Sequence, residues 1–381
     1  MTDPSEKRFS TLHVPRTLVM GVGSSGSLAV SGLSGLPEEV MVAAVDTDSK
    51  LLAGLEIDHF ICVGESITHG LSAGGAVELG RQLLEKDSSG IRRKLRDVDL
   101  VILVGGLGGG TASGALPVVT RIAREAGCLI LAVVSMPFDF EGKMKKSAAE
   151  DSLKRVRTHA DAVIRISNER LLSRADSDIS AEDAFSRSHQ VVRDGVGMLC
   201  RLISSVGVCS LDFACIHTML KNCDGFCNLA LGRAAGPTRA EVVAESLLTH
   251  PLLGNVEPWA RAQGVIVGIT GGPSLTLREI ETVMKKIQEK LPAEVWFNFG
   301  VLVDPDCGDD LSAMVLLAEQ WKEPLVDSAG RQIAVRGRGG QAEFALETVG
   351  KGRFAHVNPT IYNNQDLDVP TYIRREIKLP R

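Results

Sequence analysis

Two glycine-rich segments in the first third of the chain have the composition of turns that bind phosphate. The first is Gly21-Val-Gly-Ser-Ser-Gly26, and the second, Gly105-Gly-Leu-Gly-Gly-Gly-Thr-Ala-Ser-Gly114, follows the largely apolar run 99–104. Glycines leave backbone N–H groups unshielded, and Thr111 and Ser113 add hydroxyl donors just before a helix-like stretch at 115–126, whose N-terminus favours anions. Two such turns on one sheet predict a nucleotide site.

The first turn also matches a dinucleotide fingerprint when it is taken literally. Asp46 follows Gly21-x-Gly-x-x-Gly26 by about twenty residues, at the end of the next predicted strand, as in a nicotinamide-dependent oxidoreductase. That interpretation gives no role to the second turn or to a third glycine-rich turn, Gly70-Leu-Ser-Ala-Gly-Gly75. A nucleoside triphosphate needs several loops around its phosphates and accounts for all three. Tight turns without any ligand remain the plain structural alternative.

The composition is that of a globular protein large enough for two packed domains. The chain has 381 residues, 44% of them hydrophobic, and a formal net charge of −5. This balance argues against a nucleic-acid binder, which concentrates basic residues on one face. No run approaches the ~18 apolar residues of a membrane span, and residues 1–8 are not followed by the apolar core of a signal peptide. We therefore expect a cytoplasmic protein with no transmembrane segment and no nucleic-acid partner.

The eight cysteines indicate reduced thiols rather than a disulfide framework, because the chain is long and lacks a signal peptide. Four of them, Cys209, Cys215, Cys223 and Cys227, fall within a short span, which raises the alternative of a zinc site. Their spacing is irregular and lacks two CxxC pairs. The sequence therefore favours packed or exposed thiols, and we predict no metal held by cysteine.

Strand-like and helix-like segments alternate from residue 17 onward. Strands are predicted at 17–22, 40–45, 100–104 and 129–135, and helices at 26–35 and 115–126. Continuously apolar runs such as 129–134 are typical of parallel strands that are covered on both faces. The pattern predicts an α/β fold with a Rossmann-like, doubly wound parallel sheet and a ligand at the carboxyl ends of its strands.

A long helix is predicted over 181–205, where apolar residues recur at helical spacing without a proline. A second, smaller α/β unit follows, with strand-like 264–270 and 295–303 and helix-like 276–290. From about residue 323 the composition becomes polar and glycine-rich, as in a linker. We therefore divide the chain into a flexible N-terminal segment (1–16), a nucleotide-binding domain (17–180), a central helix (181–207), a C-terminal α/β domain (208–322), a flexible linker (323–365) and a docking peptide (366–381).

The loop Gly108-Gly-Gly-Thr-Ala-Ser-Gly114 resembles the signature of the tubulin/FtsZ superfamily. Further matches follow in the same order from residue 17 to residue 375, at 45–48, 137–142, 167–172, 211–214, 251–253, 264–272 and 302–306. The resemblance implies the tubulin/FtsZ fold, a GTPase domain that binds GTP/GDP with Mg²⁺, and head-to-tail filaments in which an acidic loop of one subunit completes the hydrolytic site of the next. A repeated heterologous contact of this kind yields open filaments.

The resemblance also implies which residues surround the nucleotide. The groups around the phosphates would be Gly21, Gly23, Ser24, Ser25, Gly26, Asp46, Thr47, Ala73, Gly74, Gly75, Gly108, Gly109, Gly110 and Thr111. Glu141 and Lys145 would reach the ribose and its neighbours, with lysine where the family generally has arginine. A single ammonium cannot make a forked contact, so we expect weaker binding there.

Four positions determine how the base would be held. Asn168 stands where an asparagine of the family contacts guanine. Gln190 replaces the acidic residue that pairs with the guanine edge, and Leu28 replaces the asparagine after the first loop. An amide lacks the charge of a carboxylate, so selectivity for guanine over adenine is expected to fall. Phe185 would stack on the base, or would pack in the core if its helix is buried.

The activating loop of the family presents two aspartates three positions apart. Asp212 matches the first, and Cys215 replaces the second. The resemblance implies that these carboxylates position and polarise the attacking water, so loss of one should slow hydrolysis by ~10²-fold or more. Asp212 would also suit the N-cap of a helix that begins near residue 213.

The end of the chain resembles the peptide through which the family binds membrane tethers. Its contacts would come from Leu367, Asp368, Val369, Pro370, Tyr372, Ile373 and Arg374. Basic residues there can meet an acidic partner or anionic lipid, and many copies along a filament raise the affinity of each. A disordered terminus without a partner is the alternative.

Together the residues and the resemblance predict a GTPase that polymerises with copies of itself and organises division at the inner face of the membrane. A second interpretation is a nucleotide-binding structural polymer with little or no hydrolysis. Cys215, Gln190 and Leu28 favour that interpretation.

Overall fold

A computed structural model of the chain describes residues 15–172, 179–205, 207–223, 225–253, 257–321, 361–362 and 365–366. Contacts within the chain define two compact units, Met1–Ile333 and Ala334–Arg381. The first unit contains the strands β1 (Thr17–Val22), β2 (Val40–Asp46), β3 (His59–Cys62), β4 (Leu100–Gly106), β5 (Leu129–Met136), β6 (Ala162–Ser167), β7 (Gly225–Ala235), β8 (Gly264–Gly271), β9 (Trp296–Val303) and β10 (Asp310–Ala318).

Helices connect these strands. They are α1 (Gly23–Ser31), α2 (Ser49–Ala53), α3 (Glu65–Thr68), α4 (Val77–Lys86), α5 (Ser89–Lys94), α6 (Gly110–Glu125), α7 (Lys143–Arg157), α8 (Asn168–Leu172), α9 (Ala181–Ser204), α10 (Phe213–Asn222), α11 (Arg239–Leu248), α12 (Glu257–Ala260) and α13 (Leu277–Gln288). Short 3₁₀ turns lie at Asp139–Glu141 and Pro305–Cys307. The predicted alternation of strands and helices is confirmed.

The strands form one mostly parallel sheet in the order β3-β2-β1-β4-β5-β6-β7-β10-β8-β9. Strands β1 to β6 are all parallel to their neighbours, so their carboxyl ends share one edge. β10 runs antiparallel to both β7 and β8, and β8 is parallel to β9. The doubly wound parallel sheet predicted from the sequence is therefore present, with a mixed extension in its C-terminal part.

The sheet is covered on both faces. Alternate residues of β1 belong to different hydrophobic clusters, because successive side chains of a strand point to opposite faces: Leu18 and Met20 pack in one, and Val19 packs in the other. A third cluster fills the space between the C-terminal strands and their helices. This two-sided burial is the physical reason for the continuous apolar runs of β4 and β5.

The long helix predicted at 181–205 is α9. Ser180 caps it, accepting a hydrogen bond from the Asp183 backbone at 3.0 Å. Val192, Val196 and Leu199 lie in the same cluster as residues from both the N-terminal and the C-terminal strands. α9 thus forms the common core of the two halves of the sheet.

All eight cysteines are free thiols. Within the described residues, no group of three His, Cys, Asp or Glu side chains is placed to hold a metal ion. In that same part of the chain, no helix has the length and apolar character needed to span a membrane.

The second unit is described only at two short strands. β11 (Ile361–Tyr362) pairs antiparallel with β12 (Gln365–Asp366), at the end of the stretch predicted as a linker. The predicted docking residues Leu367–Arg374 lie outside the described residues.

Candidate functional site

A cavity of about 370 Å³ opens at the carboxyl ends of β4 and β5, as expected for a doubly wound sheet. It is lined by a subset of the residues predicted to bind nucleotide: Ser24, Ser25, Gly109, Gly110, Thr111, Glu141, Lys145, Asn168 and Phe185. The remaining predicted residues do not line it: Gly21, Gly23, Gly26, Asp46, Thr47, Ala73, Gly74, Gly75, Gly108 and Gln190. Their actual positions explain how the wall of the cavity is built.

The glycines of the first turn are packing residues. A Cβ on Gly26 would lie 2.3 Å from the Val104 carbonyl oxygen, so only glycine lets α1 approach β4 this closely. Gly21 lies within β1, and Gly23 lies against Ala112 of α6. Ser24 and Ser25, in the first turn of α1, are the residues of this segment that line the cavity.

The second turn is closed by one of its own hydroxyl groups. α6 begins at Gly110, several residues earlier than predicted, so Ser113 lies inside the helix. Ser113 Oγ accepts the Gly108 backbone N–H at 2.8 Å and is buried, so neither group is directed at a ligand. The open backbone donors are those of the α6 N-terminus, where Gly109, Gly110 and Thr111 line the cavity.

The third glycine-rich turn packs against the second. A Cβ on Gly110 would lie 2.8 Å from the Gly75 carbonyl carbon, so the two turns are in close contact. Ala73 is buried, and Ser72 is the residue of this turn that lines the cavity. The three glycine-rich segments therefore do converge on one site, although most of their glycines serve to bring backbones together.

A buried carboxylate lies behind the wall. Asp46 Oδ2 accepts the Ser24 hydroxyl at 2.9 Å, and Asp46 Oδ1 accepts the Thr47 backbone N–H at 2.7 Å. Burial raises the pKa of Asp46, and the hydrogen bond from Ser24 opposes that shift. Asp46 is fully buried and does not project into the cavity, as the ribose ligand of a dinucleotide enzyme would. The nicotinamide interpretation loses its main support.

A charged pair borders another part of the cavity. Lys145 Nζ lies 3.0 Å from Glu141 Oε2, one helical turn apart in sequence. Glu141 Oε1 accepts the Phe138 backbone N–H at 3.0 Å, which fixes the carboxylate. The side chain of Lys145 is half exposed, so an anion in the cavity can compete with Glu141 for its ammonium.

Aromatic and amide groups also line the cavity. The ring of Phe185 packs edge-on against Phe138 at 5.1 Å and is 40% exposed, so one part of it faces the cavity and is not core. Asn168 Oδ1 accepts the Ser188 hydroxyl at 2.7 Å, which leaves the amide nitrogen as a donor. Leu28 also lines the cavity, with an apolar side chain.

Gln190 does not contribute to the cavity, contrary to the prediction. Its amide nitrogen donates to Asp194 Oδ1 at 2.8 Å on the exposed surface of α9. The preceding residue, His189, lines the cavity instead, and its Nε2 lies 3.1 Å from Ser25 Oγ. Burial, and secondarily the charge of Arg193, lowers the pKa of His189, so the ring is neutral at pH 7. No motif in the sequence singled out His189.

The predicted activating loop is built around a helix cap. Asp212 is the N-cap of α10, and its Oδ1 accepts the Cys215 backbone N–H at 2.8 Å. Hydrogen bonds from Cys215 lower the pKa of Asp212. Burial, together with Asp212, raises the pKa of Cys215 to about 11, and Asn298 Nδ2 donates to its sulfur at 2.6 Å. At pH 7 Cys215 is therefore a neutral, partly buried thiol with little nucleophilic character.

The loop lies far from the cavity of its own chain. His189 of α9 lies in the cavity wall, and Ser204 ends the helix. At the rise of an α-helix, these two residues are about 22 Å apart. Lys221 of α10 bonds to Asp161 at 2.8 Å, and Asp161 precedes β6 at the amino ends of the parallel strands. Asp212 and Cys215 therefore belong to the opposite end of the molecule from the cavity.

Comparison with known proteins accounts for both halves of the chain. Residues 18–176 match the Tubulin/FtsZ family, GTPase domain, and residues 225–319 match the FtsZ family, C-terminal domain. The chain is 36% identical over 328 residues to the cell division protein FtsZ of Buchnera aphidicola subsp. Acyrthosiphon pisum (strain APS), covering 86% of this chain and 84% of that one. It is 31% identical over 388 residues to the cell division protein FtsZ of Azotobacter vinelandii, covering 96% and 98%.

Solved structures give the same result. An empty FtsZ dimer from M. jannaschii superposes with a TM-score of 0.74 at 27% identity, covering 83% of this chain and 92% of that one. CetZ2 from Haloferax volcanii, at 22% identity and a TM-score of 0.64, shares the fold over 79% of this chain and 92% of its own. The chain therefore belongs to the tubulin/FtsZ family, with a GTPase domain followed by a C-terminal domain of the FtsZ type.

Proposed function

We propose that this protein binds GTP and GDP in the cavity at the carboxyl edge of the sheet. The N-terminus of α6 offers backbone donors and a partial positive charge to the phosphates, and Lys145 supplies an ammonium beside them. Phe185 offers an exposed ring for stacking, and Asn168 offers an amide donor to a purine. Membership of the tubulin/FtsZ family selects guanine nucleotide among the phosphate ligands that this geometry suits.

The chemistry assigned to the site is transfer of the terminal phosphoryl group to water. The chain's own contribution is to hold the phosphates against the α6 N-terminus, whose dipole stabilises negative charge on the transferred group. Mg²⁺, when bound, would neutralise phosphate charge and favour the leaving group. Water is positioned by a carboxylate, and the candidate is Asp212 of a neighbouring copy.

The observation that carries head-to-tail assembly is the separation of Asp212 from the cavity of its own chain. The part of α9 between His189, in the cavity wall, and Ser204 is about 22 Å long, and Asp212 follows beyond Ser204. We infer that Asp212 positions water in the cavity of the next copy and not in its own. A contact between opposite ends of identical molecules repeats without closing and gives filaments. We therefore infer that the protein polymerises and that each nucleotide lies at a subunit interface.

Exposed apolar side chains support this arrangement. Met144, which is 89% exposed, lies between the cavity residues Glu141 and Lys145 in sequence, and Leu71 precedes Ser72. Near the activating loop, Val208 is 78% exposed, and its neighbour Cys209 pairs with Val301 of β9. Exposed apolar residues at both ends are what a repeated contact would bury.

A second candidate function is a nucleotide-bound scaffold that turns over slowly. A specific observation favours it: the thiol of Cys215, with a pKa of about 11, stays protonated and cannot act as a base at pH 7. Asp212 alone would have to position the water, and we expect hydrolysis slower by ~10²-fold than with two carboxylates. Assembly does not require this second carboxylate.

We further propose that the filaments organise the division ring at the inner face of the membrane, as the names of the relatives suggest. The segment containing Leu367, Pro370 and Ile373 would dock to a membrane-tethering division protein through its apolar side chains, with Arg374 meeting an acidic partner. Because the segment is short, a single copy binds weakly, and the many copies along a filament together supply the affinity.

The test combines assembly with hydrolysis. Purified protein is mixed with GTP and Mg²⁺, and light scattering and released phosphate are followed in the same sample. We expect scattering with slow phosphate release, and Cys215→Asp should raise release by ~10²-fold. Cys215→Ser, which keeps the size of the side chain without adding a carboxylate, should remain slow. Absence of both scattering and phosphate release, in the wild-type protein and in Cys215→Asp, would refute the proposed function.

A further inference from the structure

A second cavity, of about 300 Å³, lies where the GTPase domain meets the C-terminal domain. Its lining comes from β6 and α8 on one side, and from β7, the segment after α11 and the end of β10 on the other. Among the described residues, none lines both this cavity and the nucleotide cavity. Small-molecule sites have volumes of about 300 to 1,000 Å³, so this cavity has room for a compact ligand.

The cavity forms where two neighbouring strands separate. β6 pairs with β7 as far as Ile164 and Cys227, after which β7 continues beside β10. Ile164 and Cys227 pack in the same cluster as residues of α9. Since successive side chains of a strand alternate between faces, the odd-numbered residues of β6 and the even-numbered residues of β7 point away from α9. Four of these side chains line the cavity: Arg165, Ser167, Phe226 and Asn228.

Two helices cover the neighbouring parts of this face and leave a gap between them. α7 packs on β6 through the cluster that contains Leu153 and Val163, and α11 packs on β7 through the cluster that contains Ala230 and Val243. Arg165 is exposed and belongs to neither cluster. The gap between the two apolar clusters therefore has a polar floor that solvent reaches.

The lining carries an excess of positive charge. Arg165 and Arg170 bring two guanidinium groups to it, against one carboxylate, that of Glu319. Asn228 Nδ2 donates to Glu319 Oε1 at 2.9 Å, and Arg170 Nη1 donates to the Leu252 carbonyl oxygen at 3.2 Å, so these groups are held in place. In the part of the chain that the structure describes, the Arg165 guanidinium has no hydrogen-bond or ion-pair partner. Its donors are therefore open to an anion in the cavity.

An aromatic ring gives the cavity an apolar surface beside this charge. Phe226 is 37% exposed, and the guanidinium of Arg157 lies 4.7 Å from the centre of its ring. Leu252 adds an aliphatic side chain. A guanidinium binds a carboxylate through two parallel hydrogen bonds, and an aromatic ring stacks on an apolar or aromatic group. The combination suits an organic acid with an apolar body.

We propose that this cavity binds a small organic acid, with its carboxylate on Arg165 and its apolar body against Phe226 and Leu252. Because the lining comes from both domains, the bound acid contacts each of them. The inference goes beyond the proposed binding of nucleotide and does not depend on it.

The test measures binding of a fluorinated aromatic acid by fluorine NMR. Titration of para-fluorophenylacetate with the protein should broaden the resonance of the probe and give its Kd. The amide of the same acid has the same shape without the charge and should bind ~10-fold more weakly. Arg165→Gln should raise the Kd of the acid by ~10-fold, and Arg165→Lys, which keeps the charge without the fork, by less. Arg278→Gln is the matched control, because it removes the same charge from an exposed position of α13 outside the cavity.

Glu319→Gln gives a signature that loss of structure would not. The glutamine oxygen can still accept from Asn228, but the negative charge that faces the bound acid is gone. The Kd of the acid should therefore fall by ~3-fold, as expected for removal of one screened like charge. A variant with a damaged fold would bind the probe more weakly.

Addition of GDP separates this site from the nucleotide cavity. The probe should stay bound when GDP is added. Displacement of the probe by GDP in both the wild type and Arg165→Gln would place it in the nucleotide cavity and overturn the inference. Equal affinity for the acid and its amide, equal affinity in the wild type and Arg165→Gln, or no binding to the wild type would also overturn it. None of these results bears on whether the protein binds GTP or assembles.

Discussion

Gln190 and His189 are neighbours on α9, yet only His189 lines the cavity. Successive residues of a helix are rotated by about 100°, so a one-residue difference decides which side chain faces a ligand. Gln190 is held outward by Asp194, one turn further along, through a hydrogen bond of 2.8 Å. A sequence motif names the position but not the side chain's partner, and this is why Gln190 was predicted and His189 was missed.

We predict that His189→Asp strengthens the preference for GTP over ATP by ~10-fold, because residue 189 lines the cavity and a carboxylate there can accept from the guanine edge. Competition of GTP and ATP against a fluorescent nucleotide measures the ratio. Gln190→Asp is the control: it adds the same carboxylate at the neighbouring exposed position, which does not line the cavity, and should change the ratio less. Equal ratios in the wild type and His189→Asp would contradict the assignment of this helix face to the base.

At the scale of elements, one ion pair joins α11 to α13. Arg239 Nε lies 2.6 Å from Glu279 Oε1, and the guanidinium also donates to the carbonyl oxygens of Ser274 and Asp309. Arg239 is nearly buried, and its hydrogen bonds to Glu279 lower the pKa of that carboxyl from 4.5 to about 2. The stabilisation is complete above the unfolded pKa of 4.5 and is lost as the pH falls toward 2.

Glu279→Gln should therefore abolish the part of the acid destabilisation that falls between pH 4.5 and pH 2, measured by urea unfolding across that range. Arg239→Met should cost about 3 kcal/mol at pH 7, since it leaves a partly buried carboxylate without its partner. Glu78→Gln is the matched control, because Glu78 pairs with Arg81 at the surface, where solvent screens the interaction. If the free energy of unfolding of Glu279→Gln falls between pH 4.5 and pH 2 as much as that of the wild type, the ion pair between Arg239 and Glu279 does not cause the acid destabilisation.

The elements themselves were largely predictable, because apolar runs and helical periodicity mark β1, β4, β5 and α9 directly in the sequence. The start of α6 could not be predicted in this way. Glycine-rich sequence is typical of a turn, and the helix begins at Gly110 because Ser113 satisfies the Gly108 N–H from within it. The contact of Cys215 with Asn298 joins residues far apart in the sequence, so only the folded chain reveals it.

At the scale of the whole molecule, α9 separates two functional ends. The cavity and the exposed side chains of Leu71 and Met144 lie at one, and the activating loop with Val208 lies at the other. In the proposed filament, each end serves a neighbouring copy. The proposed filament is therefore best tested by mixing two variants, each altered at one end only.

We predict that Met144→Glu and Val208→Glu each abolish assembly with a non-hydrolysable GTP analogue, because each buries a charge in an apolar contact. Mixed in equal amounts, they should form a 1:1 dimer that grows no further, since each variant keeps the end that the other has lost. Sedimentation velocity distinguishes monomer, dimer and filament. Phe60→Glu is the control, because Phe60 is 56% exposed on β3, the strand at the side edge of the sheet, which is not part of the proposed contact, and this variant should assemble as the wild type does. A contact between like ends would give dimers of each variant on its own, through its unaltered end, and monomers alone in the mixture would show that the two ends do not meet. Either result would overturn the head-to-tail arrangement.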